Sequence, residues 1–401
     1  ASEAENKIEG RLFINGEYVD ATDGGKFEVI NPATNEVYAT VAAGTEKDID
    51  KAVAAAKESY KARSWLKMAP RKRMGIMMKF ADLVNQNAAE LALLETLNMG
   101  KPISDCLNVD VPASAVNIKF MAECIDKMYG KVANTHDSAL NLSVREPFGV
   151  VGCISPWNYP LLMGVWKIAP ALAAGNAVII KPATDTPLSA LKLTEVLIEA
   201  GAPPEAVQCI TGSGSKLGDP LVSDPRVRKV TFTGSRDVGE RICKTAGLKK
   251  VTMELGSNSP LIVMPDANMD KVIAGTVSSG FSNAGQVCIS AQRVMASKDI
   301  YEDFVDALTE TVRGLTTGDQ LDASVKMGPM VRADDAARVN EWIAEAVGGG
   351  ARKVTGGDYS GAMHQATVVA DVKPEMRISS DELFGPIGIG DSPFHVLEAS
   401  L

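Results

Sequence analysis

Five short apolar runs, at 150–154, 177–180, 206–210, 229–232 and 251–253, constrain this chain more than any other feature of its sequence. They begin 27, 29, 23 and 22 residues apart, and each interval can hold a helix with its two turns. Strand–helix alternation at that spacing predicts an α/β fold with a doubly wound parallel sheet. The chain has 401 residues, 45% of them hydrophobic, which is ample for a buried core and suggests two or three domains.

Charge and cysteine usage exclude several function classes. With 41 basic against 50 acidic residues the net charge is −9, which argues against nucleic acid or an anionic membrane as the main partner. The six cysteines never lie closer than 18 residues, so no CxxC motif exists, and a disulfide framework is not expected in a chain this long. Histidines occur only at 136, 364 and 395, too scattered for a zinc site, so no metal is expected. Residues 1–6 are polar and carry no signal-type apolar region, which makes the cytoplasm the expected location. The apolar stretch 161–180 is interrupted by Lys167, Pro170, Gly175 and Asn176, so it reads as a buried helix, a turn and a strand rather than a membrane span.

Around the central alternation the pattern changes. Residues 11–44 read as short hairpins, with Asn15-Gly16 as a turn pair. A capping-box-like Thr45-x-x-Asp48 opens helices that run to about 129, broken at Gly100-Lys101-Pro102. Residues 130–145 show neither helix nor alternation and are expected to form an extended arm. After Pro260 a second α/β region follows, with helices near 267–282 and 301–315.

Ligands of open parallel sheets sit at the carboxyl ends of strands. Those ends here carry Ser155 to Pro160, Lys181-Pro182, Thr211 to Gly214, Thr233-Gly234-Ser235 and Glu254-Leu255-Gly256. Gly212-x-Gly214-x-x-x-Gly218 and Gly234-x-x-x-x-Gly239 are near-misses to a dinucleotide fingerprint, readable as phosphate-binding turns or as plain turns. For a nucleophile, Cys288 stands out, because Asn283 to Ser290 is a polar, glycine-containing turn after a helix, whereas the other five cysteines lie in helical or strand patterns and are expected to be core residues. With histidine scarce, Glu254 is the candidate base, expected to be partly buried; the alternative is a helix-end or surface carboxylate.

Taken together these segments resemble the aldehyde dehydrogenase superfamily, in the family's order from about residue 11 to 386. Met253 to Pro260 resembles its general-base signature, with Ser257 where the second glycine is usual, and 283–290 its cysteine signature. Pro156-Trp157-Asn158-Tyr159-Pro160 resembles its oxyanion segment, and Glu382-Leu383-Phe384-Gly385-Pro386 its late nicotinamide-ribose motif. Ile180 to Ala183 and Phe232 to Ser235 resemble its cofactor segments. The resemblance implies NAD(P)-dependent oxidation of an aldehyde to a carboxylic acid through a thiohemiacetal and thioester on Cys288. It makes Asn158 the oxyanion donor and Glu254 the base, with Lys167 either assisting proton movement or simply snorkelling from a buried helix. Cofactor binding would fall to Ile154, Ser155, Pro156, Trp157, Lys181, Thr184, Gly214, Phe232, Gly234, Ser235, Leu255, Glu382 and Phe384. Relatives that prefer NAD usually have glutamate where this chain has Thr184; a hydroxyl there can hydrogen-bond a 2′-phosphate, so NADP is expected to be accepted, with a preference for it left open. Tyr159 and Trp166 would line the aldehyde tunnel.

The implied organisation is a dinucleotide-binding domain of 1–129 and 146–254, an oligomerisation arm of 130–145, an incomplete catalytic domain of 255–386, and an atypical tail of 387–401. A homodimer or homotetramer is expected if the family's C-terminal strand is present. The alternative reading is a truncated, catalytically impaired cofactor-binding or structural protein on the same scaffold.

Overall fold

The structure, a computed structural model, describes residues 8–391. The described chain divides into two compact units, one of 8–30, 37–98 and 106–254, the other of 31–36, 99–105 and 255–391.

The first unit is built on a seven-stranded sheet whose order is Lys250–Glu254, Val227–Thr233, Val150–Ile154, Ala177–Lys181, Val207–Cys209, Leu12–Ile14 and Glu17–Val19. Its first five strands are parallel, and the antiparallel hairpin Leu12–Val19 joins the edge through Phe13 opposite Cys209. Asn15 and Gly16, both with positive φ, make the tight turn of that hairpin. Chain order reverses between Val150–Ile154 and Val227–Thr233, where Ile154 pairs with Phe232. At such a switch point the flanking connections leave on opposite faces and open a crevice beyond the strand ends. The helices Pro160–Ala173, Leu188–Glu199, Gly214–Ser223 and Arg236–Ala246 make the crossovers or follow the strands. Pro160–Ala173 is buried over most of its length, as the apolar run requires, and among the described residues no helix is long and apolar enough to cross a membrane. Residues 131–143 form an antiparallel hairpin, Lys131–His136 with Ala139–Ser143, exposed along both strands.

The second unit has a five-stranded sheet in the order Pro260–Val263, Arg293–Ala296, Ile387–Asp391, Thr367–Val372 and Arg352–Thr355, parallel except for the last pair. Met269–Gly280, Tyr301–Arg313 and Ala333–Gly348 pack with it around Phe281, Phe304, Leu308, Trp342, Val369 and Ile389.

Three sequence expectations need correction. Residues 31–36 and 99–105 group with the second unit, because Gln320 ties them there: its amide donates to the Asn31 side chain (2.8 Å) and its carbonyl accepts from Ile103 N–H (2.8 Å). Residues 387–391 are a central strand and not the start of a tail. The Ile-Gly-Ile-Gly pattern hides this, because the space beside these glycines is already filled: a Cβ on Gly388 would touch Leu308 at 3.4 Å and Phe281 at 3.5 Å, and one on Gly390 would stand 3.3 Å from the Tyr301 hydroxyl, leaving no room for a larger side chain. The remaining 392–401 lie outside the described residues. Finally, of the cysteines expected in the core, Cys106, Cys153 and Cys209 are buried, Cys124 is half-buried, and Cys243 is exposed.

Candidate active site

In the first unit the candidate residues gather at the carboxyl ends of the parallel strands. The fully buried strand Val150–Ile154 runs into Ser155, whose N–H donates to the carbonyl of Lys181 (3.1 Å). Pro156, Trp157 and the buried Asn158 follow, and Pro160 starts the next helix at a position where its missing N–H costs nothing. The Ser155 hydroxyl is buried without a hydrogen-bond partner. Lys181 ends its strand with a buried amine that donates to the carbonyl of Pro182 (2.9 Å), and burial pulls its pKa down to about 8. Gly214 lies beside that amine: a Cβ there would stand 3.8 Å from Nζ. Ser213 and Ser235 stand at the N-cap positions of the helices that follow, and neither side chain bonds the helix amides, so first-turn N–H groups are left for a ligand at both turns. Gly234 is held by its N–H on the carbonyl of Glu254 (3.1 Å), and the ring of Phe232 fills the space a side chain would need.

Two findings alter the expected roles. Thr184 gives its hydroxyl hydrogen to the carbonyl of Gly212 (3.2 Å), so it presents acceptor lone pairs rather than a donor. Glu254 is exposed at the end of its strand, not partly buried. Lys167 is buried, donates to the hydroxyl of Thr233 (2.6 Å), and feels the charge of Glu254; burial lowers its pKa to about 8. Thr233 went unassigned in the sequence although it stands between Phe232 and Gly234.

In the second unit the cysteine turn and the late motif meet. Asn283, Ala284 and Gly285 all have φ between 51° and 68°, a left-handed run that alanine adopts only under constraint. The side chain of Gln286 braces it, donating to the carbonyl of Asn283 (2.9 Å) and accepting from Val331 N–H (3.0 Å). Cys288 follows, half-buried, and its carbonyl accepts from the Ser257 hydroxyl (3.0 Å), so the residue that replaces the usual glycine holds the turn. Leu255 is half-buried and leads into Gly256, where a Cβ would stand 1.7 Å from a carboxylate oxygen of Glu382. Glu382 thus lies over that glycine, accepts from Ser257 N–H, and keeps its other oxygen buried and unpartnered; burial raises its pKa. Phe384, at φ 55°, is the strained residue of this second turn. Asn258 fixes the chain just before it by donating to the carbonyls of Ser379 (2.7 Å) and Asp381 (3.2 Å). Gln292, just before the strand Arg293–Ala296 and outside every motif, hydrogen-bonds both turns.

These residues fit a dinucleotide. The orphaned Ser155 hydroxyl, the Lys181 amine and the two uncapped helix N-termini of the first unit suit hydroxyl and phosphate groups, and, taken by itself, the unpartnered Glu382 oxygen of the second suits a ribose hydroxyl.

Comparison with known proteins agrees. Residues 18–389 match the model of the aldehyde dehydrogenase family. The chain is 39% identical over 385 residues to the NADP/NAD-dependent aldehyde dehydrogenase PuuC of Escherichia coli (strain K12), covering 95% of this chain and 78% of that protein. It is 40% identical to an aldehyde dehydrogenase of Alternaria alternata, covering 94% and 77% of the two chains. The crystal structure of an indole-3-acetaldehyde dehydrogenase complexed with NAD+ superposes with a TM-score of 0.96 at 38% identity, over 98% of this chain and 82% of that one. From the strand-end glycines, the cysteine turn and these matches, the chain belongs to the aldehyde dehydrogenase family and is an oxidoreductase acting on aldehydes.

Proposed function

We propose that this chain oxidises an aldehyde to a carboxylic acid with NAD or NADP, using Cys288 as nucleophile. The observation that carries the reading is the strained 283–285 turn, held by buried amides, at whose end a half-buried thiol is presented. Backbone strain persists only where surroundings enforce it, and it concentrates at working sites.

Cys288, as thiolate, adds to the aldehyde carbon, and the oxyanion of the thiohemiacetal is held by the Asn158 side-chain amide and the Cys288 N–H. Bound NAD or NADP supplies the acceptor for the hydride that leaves this carbon. Glu254 takes a proton from the water that hydrolyses the resulting thioester, releasing the acid and restoring the thiol; its exposure gives that proton an exit to solvent. Lys167, its basicity lowered by burial and its amine oriented by the Thr233 hydroxyl, assists proton movement near Glu254, whose charge it feels. Lys181 and Glu382 hold the two riboses, Ser235 and the helix N-terminus after it a phosphate, and Phe384 packs beside the nicotinamide. Ile154, Ser155, Pro156, Trp157, Gly214, Phe232, Gly234 and Leu255 shape the remaining wall of the cofactor site.

NADP is accepted because position 184 carries no carboxylate to repel a 2′-phosphate. The hydrogen of Thr184 is already given to Gly212, so the opening rests on absent repulsion and not on a new bond. The chain works as a homodimer or homotetramer, with the exposed 131–143 hairpin as its arm, in the cytoplasm.

Dinucleotide reduction followed by its near-ultraviolet absorbance over an aldehyde panel tests this reading. Turnover with both cofactors, abolished in Cys288→Ala, is expected. A hundredfold preference for NAD would overturn the cofactor assignment, and dinucleotide binding without turnover would favour the impaired-scaffold reading.

A further inference from the structure

Gln292 sits on the strand Arg293–Ala296 side of the cysteine turn, buried to 3% exposure. Its side-chain Nε2 donates to the carbonyl of Gly285 (3.2 Å) and to the carbonyl of Gly385 (3.2 Å), while its Oε1 accepts from Phe384 N–H (3.4 Å). Its own backbone carbonyl accepts from Ile389 N–H (2.7 Å), which fixes the residue to the central strand of the sheet. The two turns are in close contact there: a Cβ on Gly285 would stand 1.9 Å from the carbonyl oxygen of Gly385. Both carry left-handed residues, Asn283 to Gly285 on one side and Phe384 on the other. A primary amide is the side chain that offers two hydrogens and an acceptor from one planar group, and all three are used here.

We propose that Gln292 is a positioning residue that locks the Cys288 turn to the Glu382–Phe384 turn, so that a dinucleotide held at the second sets the reactivity of the thiol on the first. This rests on the roles given above to Cys288, Glu382 and Phe384. Occupation of the second turn biases its conformation, and the shared amide carries that bias to the first.

The test uses the full chain with Gln292→Met, which keeps the volume and loses all three bonds, and Gln292→Glu, which keeps the acceptor and loses both donors. Alkylation of Cys288 by iodoacetamide, read by peptide mass spectrometry, is timed with and without saturating NADP, and NADP affinity is measured by titration calorimetry. In the wild type NADP should change the alkylation rate by about fivefold or more. In both variants that ratio should fall towards one. A ratio unchanged from wild type in either variant overturns the proposal. Should both variants fail to fold, hydrogen exchange on the wild type decides. Protection by NADP must then appear together at 283–290 and 382–386; protection at 382–386 alone overturns it. Two controls isolate the underlying reading. If Cys288→Ala still oxidises aldehydes, or Glu382→Gln leaves NADP affinity unchanged, the assigned roles fail, whatever Gln292 does.

Discussion

Thr184 and Lys167 carry the predictions that belong to single side chains. A glutamate at 184 would place a negative charge where a 2′-phosphate must sit, at little cost to a ribose hydroxyl. Thr184→Glu should therefore raise the KM for NADP by about tenfold or more while leaving that for NAD within about threefold. Initial rates with each dinucleotide read this directly, and an unchanged ratio would remove position 184 from cofactor choice. Lys167 makes a second prediction, on stability. Its pKa falls from 10.5 to about 8 on folding, so between those values the unfolded chain binds more protons than the folded one, and stability rises with pH. The wild type should gain on Lys167→Met by about 2 kcal/mol between about pH 8 and pH 10. Denaturant melts across that range should show the stability difference moving towards the wild type by that amount, and a constant difference would mean that the amine is not buried as described. At this scale Cys288 was legible because its neighbours are polar and include a glycine. Gln292 was not, since what marks it is hydrogen bonds to residues brought close only by folding, and for Thr233 the segment was legible but its bond to Lys167 was not.

The elements of the first unit were legible because Val150–Ile154, Ala177–Lys181 and Val207–Cys209 are buried on both faces and write short apolar runs into the sequence, while Val227–Thr233 and Lys250–Glu254, less buried, keep shorter ones. The strand Ile387–Asp391 is equally buried, yet its glycines erase the signal because large neighbours from other elements supply the bulk. The hairpin 131–143 was legible only by default, as a stretch without a pattern, because no part of it packs inward. That exposure carries a prediction. Val132, Leu140 and Leu142 are exposed apolar side chains on paired strands, an arrangement that favours association with another surface. Val132→Asp with Leu142→Asp should shift the protein to a smaller species in light scattering while leaving the melting temperature of the isolated species within a few degrees, since neither residue contributes to a core. If the mass is unchanged, the hairpin is not the arm.

At the scale of the molecule, the two units have separate sheets and separate cores, and a 401-residue chain so divided need not unfold in one step. Most of the residues proposed for the dinucleotide, among them Ser155, Lys181, Gly214 and Ser235, belong to the first unit, and Leu255, Glu382 and Phe384 to the second. A ligand stabilises whatever must be folded to bind it, by about 2.7 kcal/mol at about 100 times its Kd. Calorimetry without ligand should therefore give a measured enthalpy larger than the van't Hoff value, the sign of more than one transition. Added NADP should raise the transition of the first unit, and hydrogen exchange should report it as slower opening of the Val150–Ile154 and Ala177–Lys181 strands. The Thr367–Val372 strand of the second unit should gain protection only so far as Glu382 contributes, so Glu382→Gln should remove that share and leave the first unit's gain in place. Equal protection of both sheets in Glu382→Gln would mean that the units unfold as one, and that the chain's stability is not divided as its cores are.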